Sequence, residues 1–225
     1  MKQLVSVVAL GFVVGCAAAE AGPAKTEPRQ VGSFKAIDVR NALDVELVIG
    51  KAASVKVTGD ADVVGKVKTI VDRGILKLYL DDPNPIVISM DDMTITQSSV
   101  TSNNRPRVVV TAPDVSEIEV SGASRVNASG LSNAKLELTL SGASSVKIVG
   151  STKVLAIEVS GASSLDAQQL SATTAAVQVS GASRATVAAR DAVTASASGA
   201  SKVTVYGKPA TVTRSASGAS KITMK

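Results

Sequence analysis

The side chains best suited to chemistry in this chain are three pairs of neighbouring aspartates: Asp60/Asp62, Asp81/Asp82 and Asp91/Asp92. Paired carboxylates can hold calcium, or can serve as acid and nucleophile in an enzyme that cleaves sugar polymers. Neighbouring aspartates are also common in solvated turns, and we favour this second interpretation. The chain has no histidine, which excludes a Ser-His-Asp triad and any histidine-ligated metal.

A second candidate is the segment SNAK, in which Ser132 and Lys135 have the spacing of a serine nucleophile and its lysine base. The partner motifs of that chemistry are absent from the sequence, and the segment is typical of a turn. We therefore expect no catalytic residue, no metal and no cofactor. One enzymatic alternative stays open, a polysaccharide-active protein that uses aspartates of an irregular segment over residues 82–105, chiefly Asp91 and Asp92.

The composition favours β-structure over helix. Of the 225 residues, 45% are hydrophobic and only 2% are aromatic, so the core must be built from Val, Ala, Ile and Leu. The formal net charge of +5 permits attraction to acidic polymers or anionic surfaces. Proteins that bind single-stranded nucleic acid combine basic grooves with stacking aromatics, which are nearly missing here. We therefore expect no nucleic-acid partner.

The N-terminal region has the composition of an export signal followed by a linker. One early lysine and an apolar run over residues 4–14 are typical of a secretory signal peptide, and the run is too short to span a membrane. The single cysteine of the chain, Cys16, follows Val-Val-Gly as in a bacterial lipoprotein cleavage box. The sequence predicts a signal peptide over 1–15, lipidation of Cys16, a flexible tether over 16–30 and a folded domain over 31–225. The predicted location is the bacterial outer membrane, facing either the surface or the periplasm.

The motif S-G-A-S occurs six times, and its successive copies are 20, 19, 20, 18 and 19 residues apart. This period indicates one structural unit that stacks on itself. Units of about 19 residues are too short for helical crossovers, so two or three short strands joined by tight turns would form each coil of a right-handed parallel β-helix. The motif glycines would form the corners, where unusual φ angles or close backbone approach are needed. These corner residues are Gly122, Gly142, Gly161, Gly181, Gly199 and Gly218.

The parity of the repeat predicts which serines face inward. The last serine of each motif is in phase with the apolar rows, so its buried hydroxyl must bond the serine of the next coil or the backbone of the turn. This ladder comprises Ser124, Ser144, Ser163, Ser183, Ser201 and Ser220. The first serine and the alanine of each motif would face outward as a flat Ser/Ala surface, which could dock a partner or a second copy, or order water.

The residue that follows each motif also faces outward. These residues form a column that is basic at both ends and neutral in the middle: Arg125, Ser145, Ser164, Arg184, Lys202 and Lys221. Its four basic members, Arg125, Arg184, Lys202 and Lys221, are a candidate binding column for an acidic polysaccharide or a lipid headgroup. The alternative is that these charges keep the rod soluble and prevent edge pairing.

The N-terminal half contains the same unit in a degenerate form. The segment IDVRNALDVELVIG aligns with IEVSGASRVNASG when Asn41 replaces the glycine, since Val39 and Val45 then occupy the two apolar rows. The two segments are 81 residues apart, which is close to four periods. Between them, longer strands with turns at 59–60 and 73–74 are predicted.

Four segments carry a resemblance to a known family: the opening VGSFKAIDVRNALDVELVIG, the turn VTGDADV, the strand DRGILKLYL and, most specifically, the SGAS coils. From about residue 31 to the C-terminus the chain resembles the bacterial family described as "putative auto-transporter adhesin, head GIN domain". Asn41 in place of the first corner glycine is a departure that affects the geometry of that corner. The resemblance implies a β-helical fold and a location in the cell envelope.

These patterns together predict a non-enzymatic lipoprotein that acts as an adhesion or ligand-binding module. It would be held to a membrane through Cys16, and its ligand would be a glycan or an envelope protein. Oligomers could form through the flat Ser/Ala surface. The alternatives are the polysaccharide-active enzyme described above and a periplasmic structural or interaction protein.

Overall fold

The computed structural model describes residues 24–81, 87–89, 94–96 and 105–225. Within these residues lie seventeen strands and one short helix. In chain order they are β1 (Ala24–Arg29), β2 (Ala36–Val39), β3 (Asp44–Ile49), β4 (Ser54–Asp60), α1 (Ala61–Val64), β5 (Val67–Asp72), β6 (Ile75–Leu80), β7 (Val87–Ser89), β8 (Thr94–Thr96), β9 (Arg107–Ala112), β10 (Glu117–Val120), β11 (Arg125–Leu140), β12 (Ser145–Val159), β13 (Ser164–Val179), β14 (Arg184–Ala197), β15 (Lys202–Tyr206), β16 (Thr211–Ala216) and β17 (Lys221–Met224).

The C-terminal half is a stack of parallel strands. β11, β12, β13 and β14 contain 16, 15, 16 and 14 residues, and each pairs with the next along the chain. Each of these pairings shifts register near the middle of the strands, and an S-G-A-S turn separates one strand from the next. This arrangement confirms the predicted parallel β-helix. The two or three short strands expected in each coil are instead one continuous strand, because the ladder resumes after the register shift.

The SNAK segment lies inside β11, so the turn predicted at residues 132–135 is wrong. Lys135 forms an ion pair with Glu137 two residues along the same strand. The irregularity occurs just before this segment, where the register shifts over residues 128–131 and Gly130 adopts a φ of +79°. A glycine in this conformation lets the strand bend without ending.

Alternate residues of every coil pack into one hydrophobic core. One register row through the stack consists of Leu138, Ile157, Val177, Ala195 and Arg214. The first four side chains are buried and become smaller toward the C-terminus, whereas Arg214 is exposed. The core therefore narrows toward the last coil and ends there at a charged residue.

The last serine of each motif faces the interior of the coil. Five of the six are at most 2% exposed, which confirms the predicted ladder, and Ser220 of the last coil is half-buried. The hydroxyls donate to backbone carbonyls, and those of Ser163 and Ser183 also lie 3.4 Å from the backbone N–H of the motif serine in the preceding coil, from which they accept, so both predicted kinds of partner occur. The Oγ of Ser163 lies 3.3 Å from the Gly142 oxygen, and the Oγ of Ser183 lies 3.1 Å from the Gly161 oxygen.

The motif glycines lie in the tight turns and have φ angles between +69° and +75°. Residues with a Cβ rarely adopt this left-handed conformation. Stacking adds a second constraint, since a Cβ on Gly161 would lie 2.4 Å from the Gly142 oxygen in the preceding coil. The same oxygen accepts a 2.8 Å hydrogen bond from the Ala162 N–H, which holds the two turns together. S-G-A-S therefore recurs because each turn must copy the backbone of the turn beneath it.

The first coil stacks as the alignment predicts. Val39 pairs with Val120, and Val45 pairs with Val126, so β2 and β3 form the coil next to β10 and β11. Asn41 takes the corner position with a φ of +62°. The 81-residue offset does not represent intervening coils of the same repeat, because these two segments are direct neighbours.

The strands β4, β5, β6 and β9 instead close the N-terminal end of the stack. β6 and β9 are parallel neighbours of β2 and β3, and β5 and β4 then pair with them in the antiparallel sense. The predicted turn at Arg73-Gly74 is confirmed, with positive φ at both residues, as a two-residue hairpin requires. The predicted turn at Gly59-Asp60 is wrong, because β4 continues to Asp60 and α1 follows directly.

The folded part begins earlier than the tether boundary predicts. β1, within the predicted tether, pairs with β4 along six residues, so residues before Val31 belong to the sheet. β1 and β17 lie at the two ends of one continuous path of paired strands through the main sheet, nine strand steps apart. At about 4.8 Å per step, these edges are about 43 Å apart along the sheet. In the described part of the chain, no helix has the length and hydropathy of a membrane span.

Candidate functional site

Several residues that the sequence singles out, among them the proposed lipidation site, lie outside the described residues: Cys16, Asp82, Asp91 and Asp92. Of the other aspartates, Asp60 ends β4, Asp62 lies in the first turn of α1, and Asp81 forms an ion pair with Lys68 at 3.4 Å. Among the described residues, no three His, Cys, Asp or Glu side chains are grouped as metal ligands would be. The described acidic residues therefore give no support to a metal site.

The residues that follow the S-G-A-S motifs start successive strands and lie side by side. The register pairs each with the next, and all six are exposed: Arg125, Ser145, Ser164, Arg184, Lys202 and Lys221. Neighbouring strands are about 4.8 Å apart, so the last three members form a continuous row of cations. The two serine coils separate Arg125 from that row.

At the N-terminal end the same column alternates in charge. Asp44 lies in register between Arg107 and Arg125, and Arg125 Nη1 is 3.4 Å from a carboxylate oxygen of Asp44. Arg107 forms an ion pair with Glu46. The guanidinium groups at this end are therefore neutralised by acids of β3, and Arg125 is poorly placed to bind an added anion.

At the C-terminal end the cations lack such partners. Within the described part of the chain, Arg184, Lys202 and Lys221 make no ion pair, and their direct neighbours in the column are Ser164 and one another. Asp166 is the nearest acid along the preceding strand, and it lies in register with Thr186 rather than with a cation. The charge of this row is thus left for solvent or a ligand.

The row is one side of a larger outward surface, because residues two and four positions further along each strand have the same parity. This surface, which we name the C-terminal grid, consists of Arg184, Thr186, Ala188, Lys202, Thr204, Tyr206, Lys221, Thr223 and Lys225. The Lys225 Nζ is 5.5 Å from the centre of the Tyr206 ring and 3.5 Å from its hydroxyl oxygen. The grid therefore combines four cations, two half-buried threonines, a central Thr204 that is only 8% exposed, and one aromatic ring, and it contains no acidic side chain.

A further arginine of β14, Arg190, differs from the grid cations. Its guanidinium donates to the Asp191 carboxylate at 2.7 and 3.3 Å. This hydrogen bond lowers the pKa of Asp191 below its ordinary value, so the acid stays ionised. Arg190 is therefore already paired with an anion.

The motif turns form a separate surface on the solenoid. The glycines and most of the motif alanines are exposed there, whereas most first serines are half-buried. Consecutive turns are joined by backbone bonds, for example from the Ala182 N–H to the Gly161 oxygen at 2.8 Å. The predicted docking role of this Ser/Ala surface stays a prediction.

Comparison with known families is informative at this point. A family model described as "Putative auto-transporter adhesin, head GIN domain" matches residues 33–209. The chain belongs to this family. The match confirms the resemblance seen in the sequence, and the last coil of this head GIN domain, from residue 210 onward, lies beyond it.

Two solved structures share the fold of this head GIN domain. A "putative adhesin" from Bacteroides fragilis NCTC 9343 is 17% identical with a TM-score of 0.71, over 90% of this chain and 97% of that one. A "putative adhesin" from Parabacteroides distasonis ATCC 8503 is 15% identical with a TM-score of 0.51, over 91% and 98% of the two chains. At these identities the similarity is one of fold. No curated protein matches the chain.

Six members of the grid lie outside the column that the sequence of the head GIN domain indicated, and two of these, Tyr206 and Lys225, add the aromatic ring and a fourth cation. Tyr206 and Lys225 lie four residues after Lys202 and Lys221, so the parity that defined the column could have identified them. No sequence pattern indicated that Arg125 is neutralised, because its partner Asp44 lies on a strand 81 residues earlier in the chain.

Proposed function

We propose that this protein is an exported, non-enzymatic adhesion module, anchored in the outer membrane by a lipid on Cys16. Membership of the head GIN family supports the adhesion role. The apolar run and the lone cysteine of the first sixteen residues support export and anchoring.

The observation that carries the proposal is the position of the two ends of the described chain. Residues before Ala24 connect to β1, which is the edge of the main sheet opposite to β17. A lipid attached at Cys16 would hold the β1 edge closest to the membrane. The C-terminal coils would then extend about 43 Å from that edge, toward a ligand beyond the membrane.

The non-enzymatic part of the proposal is supported by the described acidic residues. Three of them, Asp44, Asp72 and Asp191, form ion pairs with Lys or Arg. The rival is a polysaccharide-active enzyme that uses Asp91 and Asp92. Release of reducing ends from bacterial or host glycans by the purified protein, abolished by Asp91→Asn and Asp92→Asn together, would establish the rival.

The test is metabolic lipid labelling of the wild type and Cys16→Ser in the native bacterium, followed by protease treatment of intact cells. We expect labelling that depends on Cys16 and removal of the domain by external protease. Labelled but protected protein would place the domain in the periplasm and contradict adhesion. Equal labelling of the wild type and the variant would contradict the anchor.

A further inference from the structure

The structure contains one surface whose charge pattern stacking alone does not explain, the C-terminal grid. We propose that the grid is the ligand-binding site of this protein and that its ligand is an acidic polysaccharide. This inference rests on the proposed adhesion function and names the site and ligand class for it. The argument starts from the arrangement of charges in neighbouring strands.

Like charges directly opposite each other on a sheet destabilise it, and opposite charges stabilise it. At the N-terminal end the column follows this rule, with Asp44 between Arg107 and Arg125. At the C-terminal end it does the reverse, since Lys202 lies between Arg184 and Lys221. The two ends of the column thus differ in their arrangement of charges, although the residues of both ends lie side by side on parallel strands.

Protection of an open edge explains only part of this pattern. Charged side chains, lysine above all, on an edge strand prevent pairing with other chains, and Lys221 lies on the edge strand β17. Lys202 and Arg184 lie on β15 and β14, which are paired on both sides. Ser145 and Ser164 show that the same position accepts a neutral residue in other coils. The interior cations therefore require another explanation, and neutralisation by a ligand supplies one.

The shape of the grid selects an extended ligand over a small anion. Its side chains project from the outer side of a sheet, and its charges are spread across three strands and, in the other direction, from Lys221 at the start of β17 to Lys225 just after its end. Strands about 4.8 Å apart and residues about 3.3 Å apart give an area about 10 Å by 13 Å. A ligand that contacts all four cations must carry several negative charges at comparable spacing, as a polymer of uronate or sulfated sugars does.

The remaining grid residues favour sugar over lipid or nucleic acid. Thr186 and Thr223 are half-buried and offer hydroxyls between the cations, and Tyr206 is the single ring. A membrane-binding surface would add exposed aliphatic or aromatic side chains that enter the bilayer, and the grid has none besides Tyr206. Binding of single-stranded nucleic acid would need several stacking rings. A hydrophilic polyanion is the partner that these side chains fit.

The direct test measures binding of the purified full-length chain to immobilised polygalacturonate, with neutral dextran as the uncharged comparison. We expect binding to polygalacturonate only, and weaker binding at about 300 mM salt than at about 50 mM, because salt screens exposed charges. Lys202→Gln with Lys221→Gln should reduce the affinity about tenfold or more. Lys51→Gln with Lys153→Gln removes the same charge from exposed lysines outside the grid and should change the affinity less than about twofold.

Three results would overturn the inference. An equal loss of polygalacturonate affinity in the two double variants would show that the polymer is attracted to the net charge of the protein and not to the grid. Binding to vesicles of phosphatidylglycerol and phosphatidylcholine without binding to polygalacturonate or to dextran sulfate would identify a membrane surface as the partner. No binding to either polyanion at low salt would refute the site.

A second readout separates binding from a structural role. Because Lys202 lies between two like charges, Lys202→Gln should raise the urea midpoint of unfolding while it weakens polygalacturonate binding. A lowered midpoint would contradict the argument from charge repulsion. These experiments use purified protein, so they can fail while the lipid anchor and surface exposure hold. Failure of the labelling experiment, conversely, would leave the binding result intact.

Discussion

Replacement of Gly161 by alanine should destabilise the β-helix by about 3–6 kcal/mol, as the sum of three effects. Alanine at a φ of +74° costs about 1–2 kcal/mol. The new Cβ would lie 2.4 Å from the Gly142 oxygen, and relief of such an overlap in a packed structure costs about 1–3 kcal/mol. Movement of that oxygen weakens its 2.8 Å bond from the Ala162 N–H, a loss of about 1 kcal/mol.

Two other glycines separate these effects experimentally. Gly74 has a φ of +78° with no atom within 4 Å of an added Cβ, so Gly74→Ala should show the conformational cost alone, about 1–2 kcal/mol. Gly32 has neither a positive φ nor a neighbour within 4 Å, and Gly32→Ala should be close to neutral. The assay is urea unfolding followed by far-UV circular dichroism, since the chain has no tryptophan.

The comparison between Gly161→Ala and Gly74→Ala decides whether the close approach between turns contributes to stability. If Gly161→Ala destabilises no more than Gly74→Ala, the close approach between turns contributes nothing and the explanation of the S-G-A-S repeat is refuted. Amide hydrogen exchange adds the location of the effect. Protection should fall first at Ala162 and Ala182, whose N–H groups bond the turns on either side of the altered contact.

Three further predictions concern the ends of the solenoid and its buried charge. Arg40→Ala should destabilise the protein by about 1–3 kcal/mol in urea unfolding, because the buried Asp38, only 5% exposed, loses hydrogen bonds of 2.8 and 2.6 Å from Arg40. In an Asp38→Asn background, the destabilisation caused by Arg40→Ala should be smaller. The hydrogen bond that Lys25 donates to Glu27 is the main reason why the pKa of Glu27 lies below its ordinary 4.5. The ionised Glu27 therefore stabilises β1 fully above pH 4.5, and this stabilisation is lost as the pH falls through the lowered pKa. Hydrogen exchange of β1 amides should show that loss, and Glu27→Gln should abolish it. Arg214→Val should cause more concentration-dependent association in sedimentation velocity than the wild type shows, and a variant that sediments like the wild type would contradict a protective role for Arg214.

The C-terminal coils were predictable because their constraint is local and repeated. Each corner needs a left-handed residue that leaves room for the coil beneath, and glycine meets both needs, so the period is visible in the sequence. The alternation of Val39 and Val45 located the first coil for the same reason, even though Asn41 replaces the glycine.

The N-terminal cap was not predictable from the same pattern. Its outer strands, β4 and β5, are antiparallel partners of the parallel strands β9 and β6, and this pairing joins segments outside the S-G-A-S repeat. β1 illustrates the difficulty, because an edge strand needs backbone bonds on one side only and tolerates Pro28 and charged residues. Its composition is therefore that of a linker. The pairing of Arg125 with Asp44 was hidden in the same way, since it joins strands far apart in sequence.

The two ends of the stack limit how this protein can bind. At the N-terminal end, antiparallel strands replace the repeating coil and remove the surface on which another coil could stack. At the C-terminal end, Arg214 takes the position that Ala195 fills in the coil before it, and a charge at an inward position opposes continued stacking. Growth by addition of coils is therefore disfavoured at both ends. The lateral surfaces are left for recognition, and among the described residues the C-terminal grid groups four cations without an ion pair at the end of the stack opposite to β1.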